Sequence, residues 1–189
     1  KSYILQRINK RLFPVKDLMN NIKLVTEFLY EKLSKEEFSL KPLTLVYSKD
    51  GKSYIHYLDE YYRVFNYIED SFCYQIVEEK GLFYESALAF GLFTNLLADF
   101  PVNKLVEVLP DFHNTKKRFE DFKKVVEATP YQKILEVEPE INFIYARKDI
   151  CSKIVDLIEL GLMPLRVTHN DTKLNNVLFN RHTKKHLAI

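Results

Sequence analysis

Apolar residues at Val15, Leu18, Met19, Ile22, Val25, Leu29 and Leu33 recur three and four positions apart, the spacing that lines one face of a helix. A helix over residues 15–33, following Pro14, is therefore predicted. Residues 2–8 alternate imperfectly and carry Tyr3, Ile4 and Leu5, which predicts a strand. Two further apolar runs, 43–47 and 54–58, flank Asp50-Gly51. That dipeptide tolerates positive φ, so the two runs are expected to form a hairpin. Residues 61–68 read as another strand.

Beyond Ser71 the period changes. Leu88, Leu92, Phe93, Leu96 and Leu97 predict a largely buried helix over 85–100, stopped by Pro101. Phe119, Phe122, Val125 and Val126 mark a charged amphipathic helix over 115–128, with Thr115 or Asn114 as its N-cap. A third helix is expected over 139–160, ended by Gly161 and Pro164. Short apolar runs return at 165–168, 177–179 and 186–189, with a turn at 180–183. Strands first and helices afterwards argue for an α+β fold in two lobes. The expected junction is Glu69-Asp70-Ser71, giving lobes of residues 1–70 and 71–189.

Composition narrows the possibilities. The 189 residues carry a formal net charge of +2, too balanced for a strongly basic nucleic-acid domain. With 47% hydrophobic and 14% aromatic residues, the chain has ample material for a packed core, unlike a disordered segment. The longest apolar run, 87–93, is far shorter than the ~20 residues a bilayer span needs, and no secretory leader is visible. The expectation is a cytoplasmic protein with neither a membrane nor a nucleic-acid partner. Cys73 and Cys151 are distant in sequence, so two free thiols are expected rather than a disulfide framework or zinc site. His182 and His186 flank a turn rather than lie on a helix. The Lys116-Lys117-Arg118 cluster is followed by Glu120 and Asp121, as on a solvated helix face.

One segment carries chemistry. Residues 167–179 read as strand, polar loop, strand, and contain H-x-D-x-K-x-x-N: His169, Asp171, Lys173 and Asn176. In phosphoryl transfer the protein contributes mainly positioning and charge neutralisation. A carboxylate at Asp171 can orient a substrate hydroxyl and accept its proton. Lys173 can meet phosphate oxygens, and the Asn176 amide oxygen suits Mg²⁺, a cation that prefers oxygen donors. The plain alternative is a surface hairpin whose Asn and Asp residues only cap turns.

This loop resembles that of the aminoglycoside-phosphotransferase family within the protein-kinase-like superfamily. Residues 3–9, 63–71, 96–101 and 112–119 are similar to its bacterial N-acetylhexosamine 1-kinase branch. The resemblance implies a kinase-like two-lobed fold: a small antiparallel-sheet lobe with one helix, and a mostly helical lobe. It implies Asp171 as catalytic base, Asn176 as metal ligand, Lys173 on the phosphate side and His169 as the loop's brace. Strand 3–8 would supply the basic residue for the nucleotide phosphates, with Arg7 the best match and Lys10 the alternative. Glu27 or Glu31 would be that residue's carboxylate partner. Residues 63–71 would form the interlobe hinge, where ATP's adenine meets backbone near Asn66, Tyr67 and Ile68.

Against the family, the first hairpin and the strand bearing a second metal-binding Asp are not in the sequence, so an incomplete kinase, inactive by itself, is expected. The implied activity is ATP- and Mg²⁺-dependent phosphorylation of a hydroxyl, foremost the anomeric hydroxyl of an N-acetylhexosamine sugar. The alternatives are an aminoglycoside or choline-like acceptor, or a non-catalytic kinase-like binding module. The sequence does not fix an oligomeric state.

Overall fold

The computed structural model describes residues 1–35, 39–77 and 79–189. Its first strand, β1 (Tyr3–Ile8), runs antiparallel to β3 (Glu60–Asn66), with Gln6 opposite Arg63 and Arg7 opposite Tyr62. β2 (Ile55–Tyr57) pairs with the other edge of β3. The reversal between β2 and β3 is Leu58-Asp59, with φ of 46° and 61°, a two-residue turn whose twist matches that of the strands.

This corrects the hairpin expected around Asp50-Gly51. Gly51, at φ +77°, sits in a local loop closed by the Ser48 N–H donating to the Lys52 carbonyl at 2.9 Å. The run before it meets the sheet at the bridge between Leu45 and Phe65. Phe65 already pairs with Ile4 of β1, so Leu45 takes the opposite edge of β3, the edge β2 also uses. Burial explains the choice, because Leu45 and Phe65 share one core cluster with Ile8 and Met19.

α1 (Val15–Leu33) has the predicted bounds. Val15, Leu18, Met19 and Ile22 pack on the sheet, and Met19 is fully buried. Leu24, Val25, Phe28 and Leu29 form a second apolar stripe against Leu97, Phe100 and Val167. Asp17 in the first turn and Lys32 in the last complement the helix dipole.

α2 (Lys80–Leu96) starts earlier than the apolar spacing suggested, because Leu82 is buried in the core beside Ala89 and Leu96. It ends earlier too, at Leu96. Leu97 and Phe100 instead turn inward on a loop held by the Phe100 N–H to the Leu97 carbonyl.

A second sheet has the order β4 (Ser71–Phe72), β5 (Leu178–Asn180), β6 (His186–Ala188). Ser71 and Phe72, at the expected lobe junction, pair with Asn180 and Phe179. Val177 and Phe179 are fully buried against Leu82, Ala89, Leu96 and Tyr74. β6 is tied to α2 by His186, whose backbone N–H and ring Nδ1 lie 3.1 and 2.5 Å from one Glu85 carboxylate oxygen. Its Nε2 lies 2.6 Å from the Ser39 hydroxyl. Residues 165–168, expected as a strand, take no regular structure. Val167 is held by burial among side chains rather than by a ladder.

The chain divides into two compact units, Lys1–Val108 with Arg166–Ile189, and Leu109–Leu165. The second contains α3 (Thr115–Ala128), α4 (Tyr131–Glu136), α5 (Glu138–Tyr145), α6 (Lys148–Cys151) and α7 (Lys153–Glu159). Asn114 is the N-cap of α3, its side-chain oxygen accepting the Lys117 N–H at 3.0 Å. The long helix expected over 139–160 is three shorter ones. It departs from helical φ at Arg147 (−113°), and it breaks again at Ser152, where the Cys151 carbonyl accepts from the Thr115 hydroxyl of α3. α7 closes with the Gly161 N–H on Ile158 and the Leu162 N–H on Leu157, the paired bonds for which Gly161 takes φ +71°. Phe119, Phe122 and Tyr145 form an aromatic cluster. Lys116 bridges Asp156 and Glu159 at 2.9 and 2.8 Å.

Cys73 and Cys151 are free thiols. Among the described residues, no helix is long and apolar enough to cross a membrane.

Phe179→Ala should cost about 3–5 kcal/mol in urea unfolding, the usual loss when a fully buried ring becomes a cavity. Partial burial pushes the Glu85 carboxyl up, but the two His186 contacts outweigh it and hold the group below its ordinary value. A carboxylate with a depressed folded pKa stabilises fully above its unfolded pKa, and that stability is lost as pH falls through the folded pKa. Glu85→Gln should therefore flatten the acid limb of the stability–pH curve, measured by thermal melts between neutral and acid pH.

Candidate functional site

The loop that carries His169, Asp171, Lys173 and Asn176 is clamped at both ends by burial. Val167 is buried before it, and Val177 and Phe179 are buried after it. Between them the backbone reverses at Asn170, φ 61°, a residue type that tolerates the left-handed region. Thr168 braces that turn by donating its hydroxyl to Asn170 Oδ1 at 2.7 Å.

The Lys173 N–H then bonds the Asp171 carbonyl at 2.9 Å, and one 3₁₀ turn, Leu174–Asn176, follows. That turn carries the Asn176 side chain back onto Asp171. Its Nδ2 donates to the Asp171 carbonyl at 2.7 Å and to Oδ2 at 2.8 Å. Lys173 Nζ stands 2.9 Å from the same Oδ2. With its amide nitrogen thus oriented, Asn176 has Oδ1 left as an oxygen donor.

The electrostatics follow from these contacts. Hydrogen bonds from Lys173, and then from Asn176, hold the exposed Asp171 carboxyl below its ordinary value, so it is ionised at neutral pH. His169 is half-buried, with the rings of Phe90 and Phe93 edge-on to it at 5.3 and 5.7 Å. Burial pushes its imidazole below the ordinary histidine value, with Asp171 opposing. The ring is therefore neutral at neutral pH and packed between the two phenylalanines.

A cavity of about 810 Å³ lies within the first compact unit. Of the residues expected at the site, Tyr67, Ile68, His169 and Asn176 line it. Asp171 and Lys173 are not part of its lining; Asp171 is hydrogen-bonded to the lining residue Asn176. At the expected hinge, the Asn66 N–H is taken by the Thr44 carbonyl at 2.9 Å and the Tyr67 N–H by the Ser2 carbonyl at 3.0 Å. Ile68 accepts from Ser71 at 3.3 Å, and among the described residues its own N–H makes no backbone hydrogen bond. Among the described residues, two buried side-chain atoms lack hydrogen-bond partners, His169 Nδ1 and Asn175 Oδ1. Both residues line the cavity, and a buried polar atom of this kind calls for a partner such as a water or an ion.

Arg7 and Glu27 are placed elsewhere. Strand alternation puts Ile4 and Gln6 on the cavity side of β1 and Arg7 on the opposite face, 3.8 Å from Glu60 and largely exposed. Glu27 accepts from the Tyr47 hydroxyl at 2.7 Å. Partial burial, together with that carboxylate, pushes the Tyr47 hydroxyl up to about 12. The expected pairing of Arg7 with a carboxylate of α1 is thus replaced by Arg7–Glu60 and Tyr47–Glu27. Lys10, the alternative cation, pairs with Asp59 at 2.6 Å.

Sequence reasoning missed Arg63, which lines the cavity and donates Nε to Gln6 at 2.9 Å. The parity of β1 was the available signal: with Ile8 in the core, residues 4 and 6 share its face and residue 7 cannot.

Mg²⁺ usually takes one or two protein groups and completes its shell with water and substrate phosphates. Asn176 Oδ1 fits as one such group. Among the described residues, no cluster of three or more His, Cys, Asp and Glu side chains could hold a metal by itself. No family model matches the chain.

Because Lys173 is the foremost cause of the depressed Asp171 pKa, Lys173→Met should raise that pKa towards the ordinary carboxylate value. Asn176→Ala should raise it by less. Carboxyl-carbon NMR titration of the two variants reads both shifts.

Proposed function

We propose that this protein is a small-molecule kinase of the protein-kinase-like, two-lobed type, with ATP in the cavity and Asp171 as its base. The observation that carries the reading is the Asp171–Asn176 pair: a carboxylate hydrogen-bonded to an amide that lines the same cavity as Tyr67 and Ile68. Phosphoryl transfer needs those two groups near a nucleotide, with little covalent chemistry required of the protein.

In this reading the ionised Asp171 orients the acceptor hydroxyl and takes its proton as the new O–P bond forms and the bond from the γ-phosphorus to the β–γ bridging oxygen breaks, releasing ADP. Its depressed pKa makes it a weak base. A loose transition state tolerates that, because the hydroxyl sheds its proton late and orientation matters more than basicity. Lys173 neutralises charge on the transferred group. Asn176 Oδ1 would be a ligand of Mg²⁺, which would supply charge neutralisation at the phosphates. His169, packed against Phe90 and Phe93, keeps the loop in register. Adenine would sit against residues 66–68, where the Ile68 N–H is a donor for a ring nitrogen and the Tyr67 carbonyl an acceptor for the exocyclic amine. The unpartnered His169 Nδ1 and Asn175 Oδ1 support a polar ligand in this space.

The acceptor is read from the resemblance of residues 63–71 and 112–119 to the N-acetylhexosamine 1-kinase branch. The proposed reaction is therefore transfer of the γ-phosphate to the anomeric hydroxyl of an N-acetylhexosamine.

The test is transfer from labelled ATP to a panel of N-acetylhexosamines, aminoglycosides and choline, using the full-length gene product and its Asp171→Asn variant. Transfer to the sugar is expected, falling about 10²–10⁴-fold in the variant, the usual worth of a positioned base. Mg·ATP affinity should be nearly unchanged. Near-normal turnover by the variant would remove Asp171 from the mechanism. Mg·ATP binding with no acceptor phosphorylated would replace the kinase by a nucleotide-binding module.

A further inference from the structure

We infer that the cavity is built for a polyanionic ligand and that Arg63 of β3, not Arg7 of β1, is the cation that meets its phosphates. The inference rests on the nucleotide reading above and adds to it the residue that selects for charge.

Three observations carry it. First, the lining of the cavity contains Arg63 and Lys41 but no aspartate or glutamate, so the charges in the lining itself attract an anion, and the nearby Asp171 carboxylate is partnered by Lys173. Lys41 is exposed whereas Arg63 is half-buried, and a charge shielded from water acts more strongly on a neighbour.

Second, Arg63 has no carboxylate within ion-pair distance among the described residues, although its neighbours in the sheet do. Arg7 pairs with Glu60 and Lys10 with Asp59. A half-buried cation with no counter-ion is costly, and an anionic ligand would offset that cost.

Third, the side chain is oriented. Gln6, directly opposite on β1, accepts its Nε–H at 2.9 Å. The Phe65 ring centroid lies 5.4 Å from its guanidinium carbon, within cation–π range. This hold uses one donor and leaves both terminal nitrogens, the planar fork that binds two phosphate oxygens at once.

The Gln6–Arg63 pair thus divides the task across two strands. β1 presents a neutral acceptor on its cavity face, and β3 brings the charge. Arg7 cannot substitute, because reaching the cavity would require a one-residue slip of β1 that turned Ile8 out of the core.

The experiment measures binding of Mg·ATP, ADP and adenosine by calorimetry for the wild type, Arg63→Gln, Arg63→Lys, Arg7→Gln and Lys41→Gln, with thermal melts to check folding. Arg63→Gln should weaken ATP and ADP by about ten- to a hundredfold, the range for losing a charge-assisted contact, and leave adenosine unchanged. Arg63→Lys should fold normally and recover part of the loss, while Arg7→Gln should bind like the wild type. Equal weakening of ATP and adenosine by Arg63→Gln would mean a packing role, and would overturn the assignment. So would a loss carried by Arg7→Gln or Lys41→Gln instead. A wild type that binds neither ATP nor adenosine would overturn the nucleotide reading itself and this inference with it. A wild type that binds ATP with Arg63→Gln indistinguishable from it would overturn the Arg63 assignment alone.

Discussion

The antiparallel register between β1 and β3 decides which side chains face inward in the first compact unit. Side chains alternate strictly along a strand, so pairing Gln6 with Arg63 fixes the facing of every neighbour in the two strands. Ile8 and Phe65 go to the core beneath α1, Ile4, Gln6 and Arg63 go to the cavity, and Arg7 is left in solvent. The register is held because the alternative is expensive: a slip by one residue would expose Ile8 and bury Arg7. α1 then locks the arrangement by covering the sheet with one stripe and the Leu97–Phe100 segment with the other.

The polar loop gains its geometry from what surrounds it. Asp171 and Lys173 are exposed, and exposed ion pairs are weak restraints. The position of Asp171 is set instead by the two bonds from Asn176 and by the burial of Val167, Val177 and Phe179 on either side. A reactive group on a short tether between buried anchors combines access to ligand with small positional freedom.

Much of this was legible in the sequence, for identifiable reasons. α1 and α3 had the expected bounds because a 3.6-residue apolar period, flanked by Pro14 at one start and Asn114 at the other, states both face and ends. The loop 169–176 was legible because its polar residues stand between apolar anchors that need no distant partner to be recognised. What failed was non-local. Asp50-Gly51 is a good turn dipeptide, but whether its flanking runs pair with each other depends on competition for the edge of β3, which Leu45 joins by packing on Phe65. The single helix expected over 139–160 breaks where Thr115, far away in sequence, captures the Cys151 carbonyl. Arg7, the cation that the resemblance implies for the phosphates, faces away from the cavity because strand parity and not residue type decides the face. β4 is two residues long and exists only through its pairing with β5, so no local pattern announces it.

That pairing bears on how the polypeptide is made. Leu82, Ala89 and Leu96 of α2 have part of their apolar cover in Val177 and Phe179, which are synthesised roughly eighty to a hundred residues later. At translation speeds of about 5–20 residues per second, several seconds or more pass before that part of the cover exists. Leu40 and Tyr74 are in place by then, and the cluster is completed only when the β5–β6 pair has emerged.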